Sequence, residues 1–418
     1  MTFDPDRLAD ALDQQLAAAD AALTDGYPGD RGVRQPVHTV YVPADRYAAD
    51  TVTDWGAEAR TSWAAHCTSA DDLVDVLGLD PVVAAQVHDR VLRKLATEAI
   101  EDLRIDFEDG YGNRPDPEED DAAASAAKAL AASVAAGESA PFHGIRIKSL
   151  EAPTRRRGLR TLHLFLSTLV AEAGLTDRFV VTLPKVTSVD QVEAFVVALA
   201  AVEEACGLPV GRLPFEIQVE TPQSILGADG TALVARMIHA GGGRVTGLHY
   251  GTYDYSASLG VAAGYQSMEH PVADHAKAVM QVAAAGTGVF VSDGSTNVVP
   301  VGEPDHVHAA WRLHARLVRR SLEGGLYQGW DMHPAQLPTR YVATYAFYLE
   351  GLAQAAARLR AYVHGGDSGF LDEPATAAAL ANYLLRALEC GATDEAELAE
   401  RADVDPTELA RLARRKQQ

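Results

Sequence analysis

A (β/α)8 barrel, or TIM barrel, is the fold class that the sequence predicts, and three observations support it. Short runs rich in β-branched and aromatic residues recur along the chain, each followed by an amphipathic helical stretch. This alternation is typical of parallel strands joined by helical crossovers. Eight such units lie within roughly 300 residues, a usual size for a barrel with insertions. A doubly wound open sheet is the alternative, and the absence of a glycine-rich GxGxxG turn disfavours it.

The eight predicted strands follow one another through the central part of the chain. In order, they cover residues 38–44, 103–109, 142–149, 179–186, 214–221, 245–251, 288–294 and 326–334. Segments rich in Ala, Leu and Glu separate them; in residues 188–207, for example, apolar side chains recur at helical spacing. Functional residues are expected where the strands end, because side chains at the C-terminal ends of barrel strands point into the ligand site.

Three segments outside the repeating units complete the predicted domain organisation. An N-terminal helical segment covers residues 1–35. The catalytic barrel covers residues 36–340 and contains a helical insertion, residues 53–100, between the first two strands. A helical C-terminal lid or extension covers residues 341–418, and a glycine-containing loop, residues 364–376, interrupts it.

The composition restricts the classes of partner. The chain has 418 residues, 47% of them hydrophobic, and a formal net charge of −22. Nucleic acids and anionic membranes bind basic surfaces, so neither is expected as a partner. The sequence has no apolar run of about 18 residues, which argues against a membrane span. Three scattered cysteines are too few for a disulfide framework, so a reducing cytoplasm is the expected location.

Charged residues concentrate where the predicted strands end. Because charged side chains are rarely buried unless they are paired, this concentration predicts one shared polar pocket. In chain order, the residues are Asp106, Glu108, Asp109, Arg146, Lys148, Lys185, Glu220, Asp254, Asp331 and His333.

Glu220 and Asp254 form the best candidate metal site in this set. Two carboxylates from adjacent strands, with positions left for substrate and water, are typical ligands of Mg²⁺, a hard ion that prefers oxygen. Arg146 would then bind a substrate carboxylate in a bidentate fashion. The acids that end strand two would orient this arginine, and the metal would stabilise an enolate.

A structural role is the alternative for each of these residues. Glu220 could be a favourable charge at a helix N-terminus, and Asp254 could be a turn residue or helix cap. Arg146 could form a structural ion pair with Glu108. Lys185 could also be structural. His333 is more often a hydrogen-bonded core histidine than a ligand.

The same residues carry a resemblance to a known family. Seven segments, in family order between residues 36 and 385, resemble motifs of the HpcH/HpaI aldolase and citrate lyase β-subunit superfamily, in particular its malyl-CoA lyase-like branch. The segments are RIDFEDGYGNRPDPEED, IRIKSLEAPTRRRGL, VVTLPKVTSVDQVEAF, IQVETPQSILGADG, LHYGTYDYSASLG, GWDMHPAQL and GFLDEPATAAALA.

The resemblance implies a metal-dependent carbon–carbon lyase or Claisen-type condensing enzyme that acts on a small 2-oxo or hydroxy acid, with an acyl-CoA thioester as candidate substrate. It implies that Glu220 and Asp254 bind Mg²⁺, or Mn²⁺ in its place. The substrate-binding residues in this interpretation are Arg146, Glu108, Asp109 and Lys185.

The last of the seven segments implies a catalytic lid. Its aspartate, Asp372, aligns with the lid aspartate of the acyl-CoA members, which would abstract a proton α to the thioester. We expect the exclusion of water to raise the basicity of such a carboxylate. In the family this lid comes from a neighbouring subunit, so the resemblance implies a homo-oligomer.

Two further functions stay open at this point. The first is a metal-dependent aldolase that acts on free hydroxy-oxo acids without CoA; the altered first strand, PVHTVYVPAD, favours it, and the lid aspartate opposes it. The second is a non-catalytic regulatory subunit built on a barrel, which the presence of every expected catalytic residue opposes.

Overall fold

The computed structural model describes residues 3–366, 369–370 and 372–414, and its centre is a sheet of eight parallel strands. The strands are β1 (His38–Pro43), β2 (Asp102–Asp106), β3 (Phe142–Arg146), β4 (Phe179–Leu183), β5 (Phe215–Val219), β6 (Val245–Tyr250), β7 (Phe290–Ser292) and β8 (Gly329–Asp331). Their order in the sheet is β7-β6-β5-β4-β3-β2-β1-β8. A bridge between Ser292 and Gln328 joins the two ends, so the sheet is a nearly closed barrel and the predicted fold is confirmed.

Helices surround the barrel and form the three additional segments. They are α1 (Pro5–Gly26), α2 (Thr51–His66), α3 (Ala70–Leu77), α4 (Pro81–Thr97), α5 (Asp116–Ala136), α6 (Arg155–Ala173), α7 (Val189–Ala205), α8 (Pro222–Ile225), α9 (Leu233–Ala240), α10 (Thr252–Ser258), α11 (Pro271–Ala284), α12 (Pro304–Glu323), α13 (Leu337–His364), α14 (Pro374–Cys390), α15 (Glu395–Ala402) and α16 (Pro406–Ala413). The N-terminal helix, the insertion after the first strand and the C-terminal helices are therefore present as predicted. Every helix in the described ranges is too short or too polar to cross a lipid bilayer.

Polar side chains fill much of the barrel interior. In β2 the apolar residues Leu103 and Ile105 alternate with Asp102, Arg104 and Asp106, and all five are buried. Helices cover the outer face of a parallel sheet, which explains why the apolar set faces them. The inward guanidinium of Arg104 pairs with Asp102 on its own strand and, at 2.9 Å, with a carboxylate of β5. Buried charges are tolerated when they are paired in this way.

The prediction that Asp331 of β8 lines the shared pocket is wrong. Asp331 is fully buried, but it faces the helices outside the barrel and not the shared pocket. It accepts hydrogen bonds from His38 Nδ1 at 2.8 Å and from His314 Nε2 at 3.0 Å, and it pairs with Arg340 of α13. Its neighbour Trp330 points inward instead. Asp331 therefore connects the barrel wall to α12 and α13.

The C-terminal helices pack against the helical insertion and against α12. The long helix α13 contacts α4 of the insertion, α12, α14 and α15. The predicted break in this segment lies between the end of α13 and Pro374, where α14 begins; residues 367, 368 and 371 of that break lie outside the described residues. Asp394 and Asp405 cap α15 and α16 through their side chains.

Candidate active site

Lys185 lies at the centre of the candidate site, two residues after β4 ends. Its Nζ atom is 2.8 Å from Asp109 Oδ2, 3.0 Å from Glu108 Oε1 and 3.2 Å from Asp254 Oδ2. Its backbone has a φ of 52°, the left-handed region that residues other than glycine rarely adopt. Such strained conformations persist when the surrounding structure enforces them, and they often occur at functional sites.

Glu220 follows β5 directly and is almost fully buried. Its Oε1 atom accepts a hydrogen bond of 2.7 Å from the backbone N–H of Lys185, and its Oε2 atom accepts one of 2.6 Å from Gln218 Nε2. Burial raises the pKa of Glu220 to about 8, although the positive charge of Lys185 opposes the rise. A buried carboxylate with a raised pKa is one whose ionised form has too little positive charge near it.

Gly251 brings the end of β6 against this carboxylate. A Cβ atom at residue 251 would stand 2.6 Å from Glu220 Cβ and 2.8 Å from its Oε2, distances that real side chains do not show. The glycine is therefore needed for a close approach. It also precedes α10, whose first turn contains Asp254. The two predicted metal ligands thus come from neighbouring strand ends, and Lys185 contacts both.

Arg146 is buried at the end of β3 and is held by Asp106. Its Nε and Nη2 atoms donate to the two carboxylate oxygens of Asp106 at 2.6 and 2.7 Å. Its Nη1 atom donates to Gln218 Oε1 at 3.1 Å, and its guanidinium lies over the rings of Tyr41 and Trp330 at 4.7 and 5.6 Å. Asp106 therefore occupies the edge of the guanidinium formed by Nε and Nη2. Only the Nη1 end faces an acid of the site, Glu108, whose Oε2 atom is 3.5 Å away.

Glu108 and Asp109, the two acids that follow β2, have different electrostatic environments. Burial raises the pKa of Glu108 in spite of the nearby Arg146 and Lys185. Burial acts in the same direction on Asp109, but the hydrogen bond and charge of Lys185 outweigh it and lower the pKa. For Lys185 itself, burial is outweighed by the carboxylates of Glu220 and Glu108, which raise its pKa. This ammonium therefore stays protonated.

The donor set of the site fits a hard divalent cation. Glu220 and Asp254 offer carboxylate oxygens, which Mg²⁺ and Mn²⁺ prefer, and soft sulfur donors are absent among the described neighbours. The raised pKa of Glu220 and its lack of an ion pair within the described ranges show that this carboxylate can accept further positive charge. No group of three or more His, Cys, Asp and Glu residues in the described part of the chain has the arrangement of a complete metal site. An ion held by Glu220 and Asp254 would therefore need oxygens of water or substrate to complete its coordination.

A cavity of about 210 Å³ borders this cluster at the C-terminal end of the barrel. Its lining includes Glu108, Asp109, Asn113, Ser149 and Lys185. Another cavity, of about 170 Å³, lies at the opposite end of the barrel. The cavity at the C-terminal end is the candidate substrate site, because ligands of this fold bind at that end and Lys185 with two of its acids lines it.

Two other predicted residues have structural contacts. Lys148 Nζ is buried and bound to Glu119 Oε2 and the carbonyl oxygen of Phe107, both at 2.7 Å. His333 accepts a hydrogen bond from the backbone N–H of Ala335 through Nδ1, as a cap of the turn that follows β8. Neither residue contacts the acid cluster.

Asp372 lies on the segment between α13 and α14, where it pairs with Arg358 of α13. The hydrogen bond and charge of this arginine lower the pKa of Asp372, whereas the lid hypothesis expects a raised basicity. The expected rise in the pKa is absent because the opposite charge of Arg358 stabilises the ionised carboxylate, and this effect is larger than that of burial. The proposed catalytic role of Asp372 stays a prediction, and it requires that this ion pair opens.

Sequence reasoning missed three residues of the site, namely Gln218, Tyr41 and Trp330. Gln218 contacts both Glu220 and Arg146. A signal for it exists, because polar residues alternate through the buried strand β5 in the segment EIQVE. The two aromatic residues carry no comparable signal, since an aromatic residue in a strand is ordinarily part of the core.

The fold and the site together define a class of protein: a (β/α)8 barrel with an acidic cluster at its C-terminal end. The chain belongs to the family described as "Domain of unknown function (DUF6986)", which matches residues 16–417.

Solved structures confirm the predicted resemblance at the level of the fold. A citrate lyase from Burkholderia xenovorans LB400 superposes with a TM-score of 0.59 and 17% identity, covering 88% of this chain and 95% of that one. The protein CitE from Mycobacterium tuberculosis, in complex with magnesium, acetoacetate and coenzyme A, gives a TM-score of 0.50 and 17% identity, covering 86% of this chain and 99% of that one. A search of curated proteins found no match.

Proposed function

We propose that this protein is a Mg²⁺-dependent carbon–carbon lyase or Claisen-type condensing enzyme that acts on a small 2-oxo or hydroxy acid. The observation that carries the proposal is the convergence of four carboxylates on one lysine at the C-terminal end of the barrel. Glu108, Asp109, Glu220 and Asp254 all contact Lys185 there. Mn²⁺ would serve in place of Mg²⁺, because both ions prefer oxygen ligands.

Glu220 and Asp254 would hold the ion. The chemistry that the ion supplies is the stabilisation of negative charge on the oxygen of an enolate next to the carbon that makes or breaks a bond. The raised pKa of Glu220 supports this assignment, because a divalent cation would compensate its buried charge. The Asp254 side chain is 50% exposed, so its carboxylate is accessible to an ion from solvent.

The remaining residues would bind and orient the substrate. Asp106 and the rings of Tyr41 and Trp330 fix the guanidinium of Arg146, so its position does not depend on the ligand. A substrate carboxylate can reach only the Nη1 end of this group. Lys185 would supply a second positive charge to an anionic substrate. Preorganised charges of this kind contribute to rate because they need not reorganise during the reaction.

The acyl-CoA version of the function assigns proton abstraction to Asp372. A neighbouring copy of the chain would supply this aspartate to the site, which makes the active enzyme a homo-oligomer. The M. tuberculosis structure contains coenzyme A, which supports a thioester as substrate class by analogy. Release of Asp372 from Arg358 is a necessary step in this version.

A CoA-independent aldolase is the second candidate, and one observation favours it. Asp372 is engaged by Arg358, so in this conformation it is not available as a base. Cleavage of a free hydroxy-oxo acid does not need the lid aspartate and would use the cluster at the barrel mouth alone. A non-catalytic subunit is disfavoured, because a strained lysine and a buried unpaired acid would then reduce stability without a function.

Activity measurements with matched variants test the proposal. Cleavage of malyl-CoA, citramalyl-CoA and free hydroxy-oxo acids is followed with Mg²⁺ and with EDTA. Asp254→Asn should abolish turnover at unchanged fold, while Asp229→Asn, which changes a carboxylate of similar exposure (54%) outside the site, should not. Turnover that survives EDTA or Asp254→Asn would exclude the metal mechanism. Turnover of free acids alone would identify the CoA-independent aldolase.

A further inference from the structure

We propose that the ammonium group of Lys185 and a divalent cation are alternative occupants of one carboxylate cluster. In this view the protein contains its own counter-cation, which must leave the acids when metal binds. The inference rests on the proposed function and adds a regulation of metal binding at the same site.

The contacts of Lys185 are the first line of support. This one residue touches all four acids of the cluster: its Nζ atom lies within 3.2 Å of Asp109, Glu108 and Asp254, and its backbone N–H binds Glu220. The ammonium binds Asp254, one of the two carboxylates that would hold the ion, and the backbone N–H of the same residue binds the other, Glu220. The binding of one cation by these carboxylates therefore weakens the binding of the other.

The charge balance is the second line of support. Glu119 neutralises Lys148, so that cation is committed elsewhere. Asp106 binds Arg146 in a bidentate pair, and Arg146 reaches the cluster only through Nη1, 3.5 Å from Glu108 Oε2. Within the described residues, Lys185 is the only ion-pair partner of Asp254, and Glu220 has none. The cluster therefore carries more negative than positive charge, and a divalent cation would gain more from these acids than one ammonium does.

Lys185 also has room to leave. Its side chain is 24% exposed and borders the cavity of about 210 Å³ at the barrel mouth. Its hydrogen bond to Glu220 comes from the backbone, so the side chain can rotate away while the loop keeps its conformation. A displaced ammonium would enter the cavity in which the anionic substrate is expected to bind.

Titration with Mg²⁺ and with Mn²⁺ provides the first test, with calorimetry and Mn²⁺ paramagnetic resonance as readouts that do not depend on activity. Lys185→Met removes the charge, and Lys185→Asn removes it with a residue that accepts a positive φ. Both variants should bind the ion about 10-fold more tightly or better, because a competing positive charge within a few ångströms is gone. Lys185→Arg keeps the charge and should stay near the wild type. Lys128→Met, on the exposed face of α5, is the control.

Amine labelling tests mutual exclusion directly. Saturating Mg²⁺ should increase the rate at which an amine reagent labels Lys185, measured by peptide mass spectrometry. The labelling rate of the exposed Lys128 should not change. An unchanged rate at Lys185 would mean that ammonium and metal coexist, and it would overturn the inference.

The outcomes separate this inference from the proposed function. If wild-type binding depends on Asp254 but Lys185→Met and Lys185→Asn bind no more tightly, the inference fails and the metal site stands. If neither the wild type nor any variant binds Mg²⁺ or Mn²⁺, both the proposed function and the inference fail.

Discussion

Gly251 offers a sharp test of the geometry around Glu220. Its backbone has a φ of −95°, a value that alanine adopts without strain, so Gly251→Ala adds only a methyl group. That methyl group would lie 2.6 Å from Glu220 Cβ and 2.8 Å from Glu220 Oε2. Carbon atoms in contact are ordinarily about 3.5–4.0 Å apart, so the two strand ends must separate by roughly 1 Å.

The expected cost follows from this displacement. Forcing an extra methyl group into a packed site usually costs about 1–3 kcal/mol of folding stability. A shift of about 1 Å would also lengthen the hydrogen bonds that Glu220 accepts from Lys185 and Gln218, which are 2.7 and 2.6 Å long. A misplacement of that size in a catalytic site can reduce activity by about 100-fold.

Urea unfolding in EDTA measures the cost in stability, and calorimetric titration with Mg²⁺ measures whether the displaced Glu220 still binds the ion. Gly264→Ala is the matched control, because a Cβ atom at residue 264 meets no other atom within 4 Å and its φ is ordinary. Gly264→Ala should change stability by less than about 0.5 kcal/mol. If Gly251→Ala matched this control in both stability and Mg²⁺ affinity, the close approach of β6 to Glu220 would be wrong.

Three further predictions concern buried charge. The folded-state pKa of Glu220 is raised from 4.5 to about 8, so the folded protein without metal holds this proton more tightly than the unfolded chain. Its free energy of unfolding should therefore fall as pH rises between these values, by up to roughly 5 kcal/mol. Urea unfolding should show that Glu220→Gln removes this dependence. Arg104→Met leaves Asp102 and Glu216 without their partner and should cost about 3–5 kcal/mol, measured in the same way. The pKa of Asp331 is held well below 3.8, despite its burial, by Arg340 and its histidine partners, so its contribution is present above the unfolded pKa and is lost as pH falls below it; an acid-unfolding midpoint unaffected by Asp331→Asn would contradict this.

The fold can be predicted from the sequence because the alternation of strand and helix patterns remains recognisable on both sides of an insertion. Residues 53–100 interrupt the pattern, yet strands β1 and β2 on either side still pair in parallel. The positions of Glu220 and Asp254 follow from the same reasoning, since Glu220 stands directly after β5 and Asp254 lies in the first turn of the helix that follows β6. Proximity of strand ends is a property of the barrel and requires no knowledge of side-chain conformation.

The orientation of single side chains in short strands is harder to predict. Trp330 and Asp331 are consecutive, so they must face opposite sides of β8, but β8 has only three residues and shows no alternation that identifies the inner one. The charge suggested that Asp331 faces the pocket. The structure gives it His38, His314 and Arg340 as partners outside the barrel, two of them from helices whose packing a local pattern does not reveal.

The position of Lys185 depends on a backbone conformation that its sequence does not predict. Asn, Asp and Gly favour a positive φ, whereas lysine does not. The strained loop places the backbone N–H of Lys185 against Glu220 and its ammonium among three other acids. Without that ammonium, Asp109 and Asp254 would have no ion-pair partner among the described residues, and the repulsion between neighbouring acids would oppose folding. A tethered cation allows the acids to assemble in the absence of metal, and under the proposed function the same contacts would make it the group that a metal ion has to displace.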